Sequence, residues 1–509
     1  MKKEYIAEAL SGISDRHIAE AAPKKRRFWP IAGAVAAGLA LALTVGFWFG
    51  GHADNAMDFV SSNNTNGGVQ METPESPLLD ELVPVFNPQT VCSDKLLATA
   101  QYPALLPFPT DQSDYDAWAK DHSRWSDARN RLHTAPVGYA DNLKAFWQAS
   151  ITQCLTGQGN ENGVCSPISL YMALSMLAQV TGGNSQQELL ALLGAENGQQ
   201  LGEQTKLIFE NHYENDGVHT SIFANSLWLD DAYEFNTDAV RFLAENCYAS
   251  IYQGALETPE MNIALKDWLN AQTGGLLQDS IQDLDAMDER TALAIASTIN
   301  YRCKWTAEFY EKFNTQGIFH SPEGPQEVTY LNGDAGYAPY YWGEGFSGTY
   351  KALDDGSRMW LILPDEGLTP SDLLTSGKAI DMILDDENYA NTKQALINLT
   401  VPKFDICADL DLTDRLESMG ITQVTDPAAA DFSGIESYEQ YLYLSTAKQS
   451  ARVSIDEQGV TGVAFTLLVA PGAGAPPQEI VDLIFDRPFL FVVESGDGLP
   501  LFAGIVCNP

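Results

Sequence analysis

The second half of the chain is written in strands with few helices between them, which bounds the folds open to it. LINLTVPKF puts Ile397, Leu399 and Val401 at a period of two, and RMWLILP and PFLFVVES are continuous apolar runs. A doubly wound sheet needs a helix after every strand, and this half lacks them. The helices come early instead. In SPISLYMALSMLAQVTGG, Ser166 can cap the orphan amides and Pro167 takes the first helical position, which needs no donor. Apolar residues on all sides of that helix predict burial. The next segment, NSQQELLALLG, predicts a second helix, with Ser185 and Glu188 as a capping box and Gly194 as a left-handed stop. Early helices and late strands predict an α+β fold.

At 509 residues and 45% hydrophobic, the chain can bury a core of several hundred residues. A net charge of -39 repels phosphate backbones, so nucleic acid is disfavoured as a partner. The seven cysteines, Cys92, Cys154, Cys165, Cys247, Cys303, Cys407 and Cys507, contain no CxxC pair, and most read as small buried hydrophobes. The seven histidines include no HExxH, and neither a phosphate loop nor a GxSxG elbow is present, so no metal or cofactor is expected. One enzymatic alternative stands: Ser445-Thr446-Ala447-Lys448 is an SxxK in which Lys448 could activate Ser445 in an acyl-serine enzyme. No SDN or KTG companion follows it, and YLYLSTAKQSARVSID reads as strand where that nucleophile needs a helix start. The chain is expected not to be an enzyme.

Ile31 to Gly50 is an uncharged apolar run of twenty residues preceded by Lys24, Lys25, Arg26 and Arg27. At about 1.5 Å per residue it is long enough for a transmembrane helix with its basic side in the cytoplasm. The competing reading is a cleaved signal peptide, with small residues at Gly51-His52-Ala53, and a secreted product. The expected organisation is a short cytoplasmic segment at 1–27, a transmembrane helix at 28–51, a Ser-, Asn- and Gly-rich tether at 52–78, an N-terminal extension at 79–139 packed on or leading into the main body, and one mixed domain at 140–509 outside the membrane.

The most informative stretch is RVSIDEQGVTGVAFTLLVAPGAGAPPQEIVDLIF. A strand from Arg452 to Asp456 runs through Glu457 and Gly459 into ten largely β-favouring, uncharged residues, and then APGAGAPP stops any sheet, because Pro471, Pro476 and Pro477 lack donors. An exposed loop is implied whose first half has the composition of a buried strand.

That segment, followed by Asp486-Arg487-Pro488-Phe489-Leu490-Phe491, resembles the hinge and reactive-centre loop of the serpin family of serine protease inhibitors. Ser166-Pro167-Ile168-Ser169, Asn225-Ser226-Leu227-Trp228, Lys304-Trp305 with Phe309, Pro402-Lys403-Phe404, Ala430-Asp431-Phe432-Ser433 and Phe502-Ala503-Gly504 resemble other blocks of that family in the same order. The resemblance implies three β-sheets with about eight to nine helices, and a suicide-substrate mechanism. The loop is cleaved as bait, the protease is held as an acyl ester, and the hinge inserts into the central sheet as a new strand. It also implies a monomer and a covalent complex with a target serine protease, or sometimes a cysteine protease. Within the hinge of Glu457, Gly459, Val460, Gly462, Ala464 and Thr466, the alternate residues Val460, Gly462, Ala464 and Thr466 are small or β-branched, as an inserting strand requires. The family's common hinge length, seventeen residues from Glu457, puts the scissile bond at Ala473–Gly474, with Gly472–Ala473 one residue shorter. Small bait residues suit elastase-like or subtilisin-like proteases. The sheet-opening region implied by the resemblance holds Ser166, Ser169, Trp305, Lys266 and Gln449. Lys266, Ser297 and Gln449 depart from the family's usual polar residues, and Phe465 is bulkier than usual, which leaves a non-inhibitory member of the family as the second reading.

Overall fold

A strand that is apolar on both faces marks the middle of the molecule. In β7 (Thr291–Lys304), Leu293, Ile295 and Ile299 join the main core with the Pro167–Val180 helix. Ala294 and Ala296 on the opposite face join a second core with Trp268 and Leu269 of the Pro259–Gln272 helix. A strand covered on both sides reads as a continuous apolar run, as Ala292 to Ala296 do here. The computed structural model describes residues 37–47, 93–100, 115–132, 138–215, 219–273, 286–288, 291–333, 336–435, 442–460 and 479–509, with Tyr102, Pro103, Pro109, Ala135 and Pro136.

Among the described residues there are nineteen strands, and nine of them make the central sheet. Its order is β14 (Phe404–Asp411), β15 (Leu442–Ile455), β1 (Ala37–Phe47), β7, β5 (Thr220–Asp230), β6 (Ala249–Gly254) and β2 (Leu96–Ala98); β16 (Gly459–Val460) also pairs with β7, and β4 (Glu214–Asn215) with β5. Ten further strands form a second path: β3 (Gly163–Cys165), β19 (Pro500–Val506), β18 (Phe489–Glu494), β12 (Arg358–Pro364), β11 (Phe346–Ala352), β10 (Gly336–Gly343), β13 (Thr392–Pro402), β9 (Gly324–Asn332) and β8 (Thr315–Ser321), with β17 (Ile480–Ile484) on β13. Counted as two sheets joined where β10 pairs with β13, these strands and the central sheet give three.

Ten α-helices lie among the described residues, more than the eight to nine expected. One of them, Tyr115–Leu132, belongs to the N-terminal extension, and Gly377 at φ 70° divides Pro370–Ser376 from Lys378–Leu384. The extension also supplies the edge strand β2, and Arg129 forms a two-pronged ion pair with Glu214 at 2.7 and 2.9 Å. Ser166 caps the Pro167–Val180 helix through the Ser169 amide, as its sequence predicts. The capping box at Ser185 does not form: the next helix starts earlier, at Gly183, and Gly182 takes the cap position. Ser185 instead accepts from the Asp431 amide at 3.0 Å, and Glu188 accepts from the Thr422 and Gln423 amides at 2.7 and 2.9 Å, so both side chains tie a distant loop to the helix. Gly194 is left-handed at φ 67°, as expected of a stop. Of the described cysteines, five are buried and Cys407 is exposed, while Cys92 lies outside the described residues.

The structure differs from the sequence reading over the apolar N-terminal run. Ala37–Phe47 is a strand between β15 and β7, not part of a helix at 28–51, and no described helix is long and apolar enough to cross a membrane. The reason is legible in AGLALALTVGF: Leu39, Leu41, Leu43 and Val45 alternate with smaller residues, a period of two hidden inside an all-apolar stretch. The tether at 52–78 lies outside the described residues.

The end of the Gly198–His212 helix is pinned by a buried charge. His212, the last residue of the Gly198–His212 helix, places Nε2 2.8 Å from Asp497 and Nδ1 2.8 Å from the Ile208 carbonyl. Both ring nitrogens face acceptors, which suits the doubly protonated imidazolium. Burial alone would lower its pKa, but the Asp497 charge and both acceptors raise it above 6.5, while the same contacts, with Ser495 and Tyr139, hold Asp497 well below the usual carboxylate range. The raised His contributes its stability in full below its unfolded value of 6.5 and loses it as pH climbs through the folded value; the depressed Asp loses its share only as pH falls through the acid range. In urea titrations of His212→Gln, the loss relative to the parent is expected to be about 2 kcal/mol near pH 5.5 and to shrink on the alkaline side. A loss that is constant with pH would show His212 to be neutral.

Candidate functional site

The candidate site is built at the end of β15, where the chain must leave one strand and start down the next column of the sheet. Asp456 makes the turn: its carboxylate accepts from the Gln458 and Gly459 amides at 2.8 and 3.1 Å, and its own amide donates to the Gly459 carbonyl at 3.1 Å. Gly459 and Val460 then pair with Lys304 and Cys303 of β7. A Cβ on Gly459 would stand 2.2 Å from the Cys303 carbonyl oxygen, so glycine alone permits this approach. Val460 is fully buried there.

Each carbonyl of the turn is held from the β7 side. The Trp305 indole donates to Asp456 O, the Trp305 amide to Gln458 O and the Phe309 amide to Glu457 O, all at 2.9 Å. Glu457 accepts from Asn314 at 2.6 Å and from Lys403 at 2.9 Å. Burial alone would raise the Glu457 carboxyl, but the hydrogen bonds and charge of Lys403, with Asn314, carry it below its ordinary value. Under the turn, Trp305 and Phe309 meet edge to face, and the Lys351 ammonium lies 5.6 and 4.3 Å from their ring centroids. Burial pushes the Lys351 amine down to about 8. Sequence reading picked out Trp305 and Phe309 but missed Lys351, Asn314 and the role of Lys403.

Lower in the sheet, a second group ties β15 to the helix behind it. Gln449 is buried, accepts from the Ser166 amide at 3.1 Å and donates to the Ser166 carbonyl at 3.0 Å. Ser166 in turn caps Ser169. Ser166, Ser169 and Gln449 thus form one latch, and the departure at Gln449 replaces its polar contact rather than losing it. Ser297 occupies the matching rung of β7, and its hydroxyl is buried without a hydrogen-bond partner among the described residues. Lys266 is half-buried on the Pro259–Gln272 helix, which covers the opposite face of the sheet, so it is not part of this latch. Trp305 belongs to the hinge turn instead.

Gly462, Ala464, Phe465, Thr466, Gly472, Ala473 and Gly474 lie outside the described residues. The chain is next described at Glu479, where Lys393 pairs with its carboxylate at 2.7 Å and Ile480–Ile484 runs parallel to β13. Residues 461–478 therefore connect two different sheets. Ser445 and Lys448 lie on β15, with Ser445 exposed where the pairing with β1 slips. In an extended strand three residues advance about 10 Å, where the helical turn of an acyl-serine site would bring the two side chains together. Among the described residues no group of three or more His, Cys, Asp or Glu could hold a metal ion.

The family model described as Serpin (serine protease inhibitor) matches residues 142–509. Serpin-Z2B of Triticum aestivum is 26% identical over 368 residues, covering 68% of this chain and 90% of its own. Plasminogen activator inhibitor 1 of Sus scrofa is 25% identical over 377 residues, covering 70% and 89%. Among solved structures, Arabidopsis AtSerpin1 in its native stressed conformation superposes with a TM-score of 0.64 at 22% identity, over 74% of this chain and all of that one. With the hinge turn, the buried Ser166 helix and the three sheets in the arrangement the resemblance implied, this chain belongs to the serpin family.

Proposed function

We propose that this serpin inhibits proteases as a suicide substrate, with Ala473–Gly474 as the bait bond and Gly472–Ala473 as the shorter alternative. The observation that carries the proposal is Val460, seated on β7 at the head of the column between β15 and β7 and aimed down it by a turn with every carbonyl satisfied. The residues that follow alternate in the small set Gly462, Ala464 and Thr466, and neither charge nor proline interrupts them before Ala470. The protease nucleophile would attack the Ala473 carbonyl, break its bond to Gly474 and release the new amine, leaving an acyl ester on Ala473. Insertion of 461 onward would then carry the ester away from the deacylating water, so inhibition is a race between insertion and hydrolysis. Relatives named as inhibitors, such as plasminogen activator inhibitor 1, support the class of activity. The small bait residues favour an elastase-like or subtilisin-like target. The basic residues before an apolar run, Lys24 to Arg27, support an anchor at 28–51 that presents the inhibitor outside a bacterial-type cell membrane in a state where Ala37–Phe47 has left the central sheet.

The reading is tested by mixing the full chain, reconstituted in phospholipid vesicles, with an elastase-type protease and running denaturing gels with mass spectrometry of the released peptide. A covalent adduct heavier than either partner, with a peptide beginning at Gly474, is expected. Cleavage without adduct at every protease ratio would make the chain a substrate and favour the non-inhibitory reading.

Ala464→Asp supplies a second test. Val460 is already buried before cleavage, whereas Ala464 would be buried only on insertion, where an unpaired carboxylate costs several kcal/mol, on the order of 3. The adduct fraction is therefore expected to fall at least tenfold while bait-bond cleavage keeps its rate; a parallel fall in both would mean that Ala464 shapes the bait and not the insertion.

A further inference from the structure

β15 and β7 each pair antiparallel with β1, so they run parallel to one another with one strand between them. β1 meets both along nearly its whole length: Gly38 stands between Arg452 and Asn300, Leu41 between Gln449 and Ser297, and Leu43 between Ala447 and Ile295. β16 enters the same column from its head. Val460 pairs with Cys303, and two residues further along β7 the column belongs to Ala37, opposite Tyr301. Continued in the β16 register, Gly462 would fall on the rung of Ala37, Ala464 on that of Leu39 and Thr466 on that of Leu41. Two strands cannot hold one rung, because each needs the same backbone donors and acceptors of β15 and β7.

We infer that β1 is an internal competitor of the reactive loop: while it fills the column, only the first hinge residues can seat, and an acyl-enzyme formed at the bait bond is hydrolysed before it is trapped. The inference rests on the inhibitor reading above. Its composition fits the part, since AGLALALTVGF shares with VTGVAFTLLVA an uncharged, β-tolerant sequence free of proline. The same residues cannot form β1 and span a bilayer at once, so the two placements of the apolar run are exclusive. In a bilayer the run leaves the column open to the loop; out of one, it closes the column.

The experiment compares the full chain, without lipid, with Leu41→Pro, which removes a ladder donor from the middle of β1, and with Leu41→Val, which keeps the strand. Hydrogen exchange followed by mass spectrometry reads peptides covering 37–47, and denaturing gels read the covalent adduct with an elastase-type protease. The parent and Leu41→Val are expected to protect 37–47 and give mostly cleaved chain. Leu41→Pro is expected to lose that protection and raise the adduct fraction about tenfold, with a single cooperative urea transition, at a midpoint lowered by the loss of β1, showing that the domain is folded. An excess of synthetic peptide copying 461–470 should also release protection from 37–47 in the parent. Unprotected 37–47 in the parent, or an adduct that forms equally in parent and Leu41→Pro, would overturn the inference. Protection that responds to the proline and the peptide, with no adduct in any variant, would uphold the occupancy of β1 and sink the inhibitor reading alone.

Discussion

Two parallel strands that face each other across the width of one strand are the constraint from which the rest of this structure follows. The facing edges of β15 and β7 carry backbone donors and acceptors that lie against the main apolar core, so the column between them is filled by a strand or closed by direct pairing. The energetics of filling it are finely balanced. A ladder bond contributes about 1 kcal/mol net, while ordering a residue costs about 1–2 kcal/mol, so hydrogen bonding alone does not hold an added strand. Apolar burial, at roughly 25 cal/mol per Å², decides which segment wins.

The hinge turn converts that balance into direction. Asp456 and Gly459 reverse the chain into the column, and Trp305 and Phe309 hold the reversal by its carbonyls. Glu457 is fixed between Lys403 and Asn314, which come from different parts of the chain. The other end of the loop is fixed on β13. The chain is thus fixed on different sheets on either side of 461–478, and in the proposed mechanism a cut between those two points frees the first half to move as a strand.

Much of this was legible in the sequence because it was local. Ser166 and Pro167 announce a helix start, Gly194 its successor's stop, and Ile397, Leu399 and Val401 a one-sided strand, and all of them lie where that chemistry puts them. What was not legible depended on partners far along the chain. Ser185 and Glu188 have the spacing of a capping box, but the loop at 422–431 offers both of them amides, and tertiary partners outweigh a local motif worth about 1 kcal/mol. The apolar run at 31–50 satisfies two templates, a membrane-length helix by composition and a strand by the alternation from Gly38 to Val45. Length favours the first, and a waiting column favours the second, which only the fold reveals.

Gln449 was legible in kind but not in consequence. It falls in the inward set of β15 with Ala447, Ala451 and Val453, where a polar side chain must find partners, and it takes both from the backbone of Ser166. Across the column, Ser297 is buried with no such bond among the described residues. The two walls of the slot are therefore unequal. Sliding β15 along the helix that begins at Pro167 breaks two buried hydrogen bonds, while no described bond of the Ser297 hydroxyl restrains β7 at that rung. The latch accordingly resists movement of β15 and leaves β7 as the wall with fewer polar restraints at that level, which is also the strand that carries Trp305's neighbours and the first rung taken by Val460.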